Sequence, residues 1–238
     1  MSSYLDYLDK NYSKKTFSRK VDYIKYNFQK YLKFENSEEV RILEIGSGLG
    51  ENIKYLNDRG FTNIDIVDND QSVLNNISRS FKIQRALFCE QFDKLESLLD
   101  KYDAIIATQV MEHIPRNEQL LFVNTLYRSL KIGGYIIITV PNMANPFTLY
   151  ERYGDITHET GFTDNSLKQI CLNCAIPLSN IEIKGFQIPP YSILNIIRIA
   201  FQKFLHAIIL LMSIMNAGGY SKILTPNITL VIKKQAPI

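Results

Sequence analysis

Val40-Arg-Ile-Leu-Glu-Ile-Gly-Ser-Gly-Leu-Gly50 packs an apolar run, a carboxylate and three glycines into one continuous stretch, and its reading decides the fold. The run Val40 to Ile45 is short and rich in branched residues, the pattern of a strand covered on both faces in a parallel sheet. Glycine tolerates positive φ and lets a ligand approach the backbone. Gly46, Gly48 and Gly50 therefore form a turn that exposes N–H groups ahead of a helix expected over Glu51 to Arg59. A dinucleotide fingerprint reads G-x-G-x-x-G. Here the third glycine arrives one residue early and Glu51 follows it, which departs from that pattern. Glu44 at the mouth of the turn repels a pyrophosphate and attracts a cationic amino-acid group.

Downstream, Asn63 to Asp68 is a second short strand ending in an acid. Asp68-Asn69-Asp70 also suits a turn and helix N-cap ahead of Gln71. Ala86 to Glu90 reads as strand three, Tyr102 to Thr108 as strand four with the loop Gln109 to Pro115, and Leu130 to Asn142 as a Gly-Gly turn and strand five. With E-x-G-x-G-x-G at positions 44 to 50, residues 40 to 142 resemble the class I S-adenosylmethionine (SAM) dependent methyltransferases. The resemblance implies a Rossmann-like α/β fold with a seven-stranded, mostly parallel sheet whose last strand, Asn227 to Lys233, enters antiparallel beside strand five. It also implies SAM as cofactor. Glu44, Gly46, Ser47 and Gly48 would hold the methionine end, Asp68 with Asn69 the ribose, and Glu90 or Gln91 the adenine. Gln109, opening the loop after strand four, is counted with these cofactor residues.

Composition sets limits. The chain has 238 residues, 46% hydrophobic content and no Trp, enough for one sizeable core. We therefore expect a single domain: a helical cap over 1–39, a core over 40–187, an apolar helical insertion over 188–226, and the last strand and tail over 227–238. A net charge of +3 gives no footprint for sequence-independent nucleic-acid binding, although Lys10 to Lys33 is locally basic and aromatic. That run reads as a solvated amphipathic helix. Three cysteines make no disulfide framework, and with no signal peptide in view a reducing cytoplasm is expected. Cys171-Leu-Asn-Cys174 lies inside an expected helix with no second pair, so buried structural thiols are expected there.

In open α/β sheets the chemistry sits in loops at the carboxyl ends of the strands. His113 follows Glu112 in the loop after strand four, and His158 lies in the polar loop Arg152 to Phe162. Methyl transfer from a sulfonium is an in-line displacement in which a hydroxyl or amine acceptor gives up a proton, and a neutral imidazole suits that task. Either histidine is a candidate base. Glu112, His113 and His158 together also make a ligand set for a divalent cation. The loop resembles the E-x-x-E-H pattern, with a later His, of small-RNA 2′-O-methyltransferases and ubiquinone-pathway O-methyltransferases. Gln109 replaces the first acid of that pattern and weakens the metal reading.

A narrower resemblance runs from Pro141 to Thr163, where Pro-Asn leads into R-Y-G-D-x-T-H-E and then Phe-Thr. Methyltransferases of bacterial surface-polysaccharide pathways look similar. The resemblance implies an acceptor loop over 142–162, with Asn142, Arg152, Tyr153, Asp155 and Glu159 binding a sugar or nucleotide sugar for O-methylation. Thr163 and Asp164 also carry ordinary N-cap chemistry. Two other readings are O-methylation of a membrane-borne phenol or quinone precursor, and a non-catalytic SAM-binding scaffold subunit.

After an expected strand six over Ser179 to Phe186, Pro189-Pro190 opens a long apolar stretch from Tyr191 to Met215. Arg198, Lys203 and His206 interrupt it, so no uncharged run reaches the ~20 residues of a membrane span. The stretch is expected to be partly buried on the sheet, its excess length serving a homodimer or membrane-surface contact.

Overall fold

A computed structural model describes residues 13–90 and 94–236. The start of the expected helical cap, Lys10 and Gln91 lie outside the described residues. In chain order the elements are α1 (Lys14–Phe28), β1 (Ile42–Ile45), α2 (Glu51–Asp58), β2 (Ile64–Asp68), α3 (Gln71–Ser80), β3 (Arg85–Phe88), α4 (Leu95–Leu98), β4 (Tyr102–Thr108) and α5 (Gln119–Ser129). Then come β5 (Leu130–Pro141), α6 (Leu149–Gly154), α7 (Asp164–Asn173), β6 (Ile181–Gly185), α8 (Ile193–Met215) and β7 (Asn227–Lys233).

The seven strands form one sheet in the order β3-β2-β1-β4-β5-β7-β6. The pairs from β3 to β5 are parallel, while β7 inserts antiparallel between β5 and β6. The expected seven-stranded, mostly parallel architecture is present, and β6 occupies the far edge. Successive β1 side chains alternate between two cores. Leu43 and Ile45 join Phe122, Leu126, Leu167 and Cys171 under α5 and α7, and Ile42 joins Ile24, Phe28, Ile53, Leu56 and Leu74 under α1 to α3. This double cover explains why β1, β2 and β4 read as continuous apolar runs.

Local chemistry places the helix starts. Gly50 caps α2 with φ +87° and no side-chain bond, Asp70 caps α3 by accepting from the Ser72 N–H, and Thr163 forms a capping box with Ser166 at α7. Cys89, Cys171 and Cys174 are buried thiols outside any disulfide; burial, aided by Cys174, pushes the Cys171 thiol up to about 12. These thiols are packing groups.

The stretch after β6 corrects an expectation. Helix α8 has 23 residues, none fully buried and eight half-buried along one side, so it rests against the domain with most of its apolar length exposed. It is also long and apolar enough, by length and composition, to cross a membrane, so the interrupting charges do not exclude a span as the sequence argument held. The two cores pack the sheet against α1 to α3 and against α5 and α7, and no residue of α8 belongs to either.

Candidate functional site

The glycine turn follows β1 directly and joins three strand ends. Gly46, Gly48 and Gly50 have φ of +71°, +52° and +87°, conformations open to glycine at no steric cost. A Cβ on Gly46 would stand 2.4 Å from Val110 Cγ2, so this glycine lets the turn pack on the loop after β4. Gly48 differs: no atom lies within 4 Å of the position of its missing Cβ, and the turn faces open space there.

Glu44 is buried at the floor of this turn, its Oε1 accepting from Asn52 Nδ2 at 2.9 Å. Asn52 also donates to Thr108 Oγ1 at the end of β4. Glu44 Oε2, Ser47 Oγ and Asn52 Oδ1 are buried without a hydrogen-bond partner. Buried polar atoms are rarely left unpaired, and these three belong to the glycine turn and the Glu44–Asn52 pair beneath it. Burial pushes the Glu44 carboxyl up to about 8, the Asn52 bond opposing and the nearby Glu51 and Asp68 adding to the rise. A cationic amine against the free Glu44 oxygen would restore its ionised form.

Asp68, ending β2, accepts from the Ser47 N–H at 3.1 Å and from the Asp70 N–H at 3.0 Å. It ties the glycine turn to the second strand, and burial pushes its carboxyl upward. A carboxylate has about four acceptor sites, so the remaining lone pairs can still take ribose hydroxyls. Asn69 and Glu90 are exposed beside it. The orphaned polar atoms, the open glycine and the paired acid fit SAM, with an acid for its ammonium and an acid for its ribose.

Gln109 adopts φ +56°, an uncommon conformation for a non-glycine residue. Its amide donates to Asn227 Oδ1 at 3.3 Å. The side chain turns toward β7, and the first position of the E-x-x-E-H pattern is thereby directed away from Glu112.

The two histidines meet. Residues Met111–His113 form a short 3₁₀ turn after β4, and the N–H groups of Glu159 and Thr160 both donate to the Glu112 carbonyl, folding the later loop back onto it. The His113 and His158 rings lie 4.6 Å apart, centroid to centroid. Thr157 Oγ1 donates to Asp155 Oδ1 at 2.6 Å and lies 2.9 Å from His113 Nδ1. With its proton committed to the carboxylate, the Thr157 hydroxyl accepts from His113 Nδ1–H. This fixes the tautomer and leaves Nε2 with a free lone pair. Burial first, then the neighbouring His158, lowers the His113 pKa, so the ring is neutral near pH 7. Burial raises the Asp155 carboxyl, but the Thr157 bonds and both histidines outweigh it and hold the group below its ordinary range.

Glu112, His113 and His158 offer ligand atoms within 4.8 Å of one another. Both Glu112 carboxylate oxygens are buried and unpartnered, and burial, with Asp155 nearby, pushes this acid up to about 8. The set fits a divalent cation. Since Nδ1 is already bonded, His113 would ligate through Nε2, the atom that a base needs.

Other acceptor-loop residues have structural duties. Asn142 is fully buried, with its Nδ2 donating to the Ile223 and Thr225 carbonyls and its Oδ1 accepting from the Ala144 N–H. This corrects its expected acceptor role, because the side chain clamps the segment before β7 and has no exposed atom. Arg152 donates to the His158 and Glu159 carbonyls and braces the loop from within. Asp155 points its carboxylate at Thr157. Tyr153 and Glu159 are exposed on this loop. Sequence reasoning missed Asn52 and Thr157. Asn52 had a weak signal as a polar residue in the first turn after the glycines, and Thr157 as the third residue of an Asp-x-Thr turn.

The model of a methyltransferase domain family matches residues 12–173. Among solved structures, a SAM-dependent methyltransferase from Archaeoglobus fulgidus shares 17% identity at a TM-score of 0.65, covering 98% of this chain and 100% of its own. The plantazolicin methyltransferase BpumL, in complex with SAH, shares 16% identity at a TM-score of 0.59, covering 96% and 90%. A SAM-dependent methyltransferase from Mesorhizobium loti shares 12% at a TM-score of 0.58, covering 88% and 96%. No curated protein matches the sequence. The family model spans more than half of the chain and coincides with the glycine turn, Asp68 and the histidine loop, so the chain belongs to the methyltransferase domain family and is a SAM-dependent methyltransferase.

Proposed function

We propose that this methyltransferase transfers the methyl group to a hydroxyl of a sugar or nucleotide sugar in surface-polysaccharide synthesis. The observation that carries the O-methylation is the Asp155-Thr157-His113 chain, which presents a neutral imidazole with Nε2 open beside a polar loop. Bound SAM supplies the electrophilic methyl on its sulfonium. His113 Nε2 takes the acceptor's hydroxyl proton, while Thr157 holds the ring in place through Nδ1. Asp155, at the far end of the chain, favours the charged ring once the proton has moved. His158 stands against the same ring, and Tyr153 and Glu159 offer a ring face and a hydroxyl acceptor to a sugar. With a divalent cation bound, Glu112, His113 and His158 would hold it, His113 Nε2 would no longer serve as the base, and the cation's charge would instead lower the pKa of acceptor hydroxyls.

An acceptor screen of free sugars and nucleotide sugars with methyl-labelled SAM tests the reading. Transfer to at least one hydroxyl acceptor is expected, with His113→Ala retaining SAM binding and losing about a hundredfold or more in turnover. Full turnover in that variant would remove the base, and activity that survives exhaustive chelation would remove the metal. The exposed apolar side chains around the loop, Phe147, Tyr150 and Ile156, favour a second reading. It is O-methylation of a membrane-borne phenol, and exclusive labelling of phenols in the same screen would establish it.

A further inference from the structure

Helix α8 is amphipathic in the inverse sense. Its half-buried residues, Asn195, Ile199, Gln202, Leu205, His206, Ile209, Leu210 and Ser213, recur at helical spacing and form the stripe that leans on the domain. Half of them are polar, and they include every polar side chain of the helix other than Arg198 and Lys203. The opposite stripe, Ile193, Ile197, Phe201, Phe204, Leu211 and Met215, is apolar and turned to solvent; Ile193, Phe201 and Met215 are 79%, 67% and 78% exposed. At 100° per residue Arg198 and Lys203 fall on either flank of this apolar stripe.

Charge follows the same division. No Asp or Glu occurs from residue 183 to the end of the sequence, whereas Arg198 and Lys203 lie on α8 and Lys222 just beyond it. The whole chain is only +3, so its positive charge is concentrated in this last part.

Topology then separates lying on a bilayer from crossing one. The chain leaves the sheet at Gly185 and re-enters at Asn227, and Gly185 pairs with Ile228. Both ends of the excursion are thus at one place. If α8 crossed a bilayer, the residues after it would recross as irregular backbone, leaving polar groups unsatisfied at several kcal/mol each. That return segment is instead tied to the domain, with the Ile223 and Thr225 carbonyls held by Asn142 and the Leu224 carbonyl by Asn145. A crossing would also put Lys203, near the middle of the helix, at the bilayer centre.

We propose that α8 lies in the surface of an anionic lipid bilayer, its apolar stripe in the acyl boundary and Arg198 and Lys203 reaching the phosphate headgroups on either side. A second copy of the chain is the poorer match, since an acid-free cationic helix would meet its own charge. The docking face continues onto the acceptor loop. A shallow apolar groove of about 380 Å³ lies between α8 residues Ile197, Phe201 and Leu205, Phe147 of the acceptor loop, and Pro226 just before β7. Docking would bring the acceptor loop to the membrane surface, whatever hydroxyl is methylated.

Flotation of the full chain with vesicles of phosphatidylcholine, alone or mixed with phosphatidylglycerol, tests this. Binding to the mixed vesicles at least about tenfold tighter than to neutral ones, weakening with salt, is expected. Phe201→Glu with Leu211→Glu should abolish flotation, and Arg198→Gln with Lys203→Gln should remove the preference for the anionic lipid. All four side chains are at least partly solvent-exposed on α8, so SAM binding and melting temperature should be unchanged in both variants. Absence of flotation on either vesicle overturns the proposal. So does a vesicle-inert dimer that Phe201→Glu dissociates, which would make the face a self-interface. Resistance of the bound chain to alkaline extraction would instead mean a span and overturn the surface geometry.

Discussion

Glu44 reports the cofactor most directly at the residue scale. Its carboxyl, pushed to about 8 by burial, is largely protonated near neutrality in the free chain. A ligand ammonium beside the orphaned Oε2 favours the carboxylate, so binding releases a proton and affinity rises as pH climbs from about 6 to 8. Glu44→Gln keeps the Asn52 partner but removes the charge. Calorimetry should show SAM affinity falling by about tenfold or more, with most of that pH dependence gone. An unchanged pH profile would mean that another group senses the ligand. Glu44 was legible in the sequence because its place before the glycines states its role. Asn52, which positions it, was not, since nothing local distinguishes that amide from any other polar residue in a helix's first turn.

The glycine turn makes a sharper statement as an element than its individual residues do. Gly46 and Gly48 share positive φ, yet one faces Val110 and the other faces nothing. Gly46→Ala should therefore destabilise the fold by about 2 kcal/mol or more, through strain and the clash, and lower SAM affinity as a consequence. Gly48→Ala should cost only about 1 kcal/mol of backbone strain while weakening SAM binding markedly, because the added methyl enters the ligand's space. Thermal melts with and without SAM separate the two cases, and equal effects would contradict this assignment. The turn's existence followed from local pattern, but which glycine serves packing and which serves the ligand depends on Val110, sixty-four residues away in sequence. The histidine loop has the same character. The tautomer of His113 is set by Thr157 and Asp155, joined to it only because the Glu112 carbonyl captures two later N–H groups.

Across the whole molecule the sheet separates stability from function at its two ends. Opposite the site, Asp65 is fully buried and accepts from Arg41, Arg85 and Tyr102 at 3.1, 2.8 and 2.9 Å. Burial raises its carboxyl, but these partners outweigh it and hold the pKa below the ordinary value. A depressed acid contributes stability that is present above the unfolded pKa near 4 and lost as pH falls below it. Glu44 and Glu112 work in the other direction: raised to about 8, they contribute stability fully present below about 4.5 and lost as pH rises through 8. Denaturant unfolding of the ligand-free chain should accordingly give a maximum in the mildly acidic range, with Glu44→Gln flattening the alkaline side. Asp65→Ala should destabilise by about 3 kcal/mol at all pH values above 5 and leave SAM affinity of the folded chain unchanged. A selective loss of SAM binding would place Asp65 in the site's support instead.

What the sequence alone determined is the part carried by contiguous residues. Strand one, the glycine turn, the acid ending strand two and the succession of strands along the chain were readable because a doubly covered strand must be apolar and a ligand-cradling turn must be glycine. Tertiary structure decided the rest. Asn142 looked like an acceptor contact beside a polar loop, and the fold spends it on the carbonyls of Ile223 and Thr225. The apolar stretch from 191 to 215 looked like a helix partly buried with length to spare, and the fold half-buries one side of it while neither core takes any of its residues. Hydrophobic pattern states that a surface must leave water, but only the arrangement of every other element settles whether the protein itself can cover it.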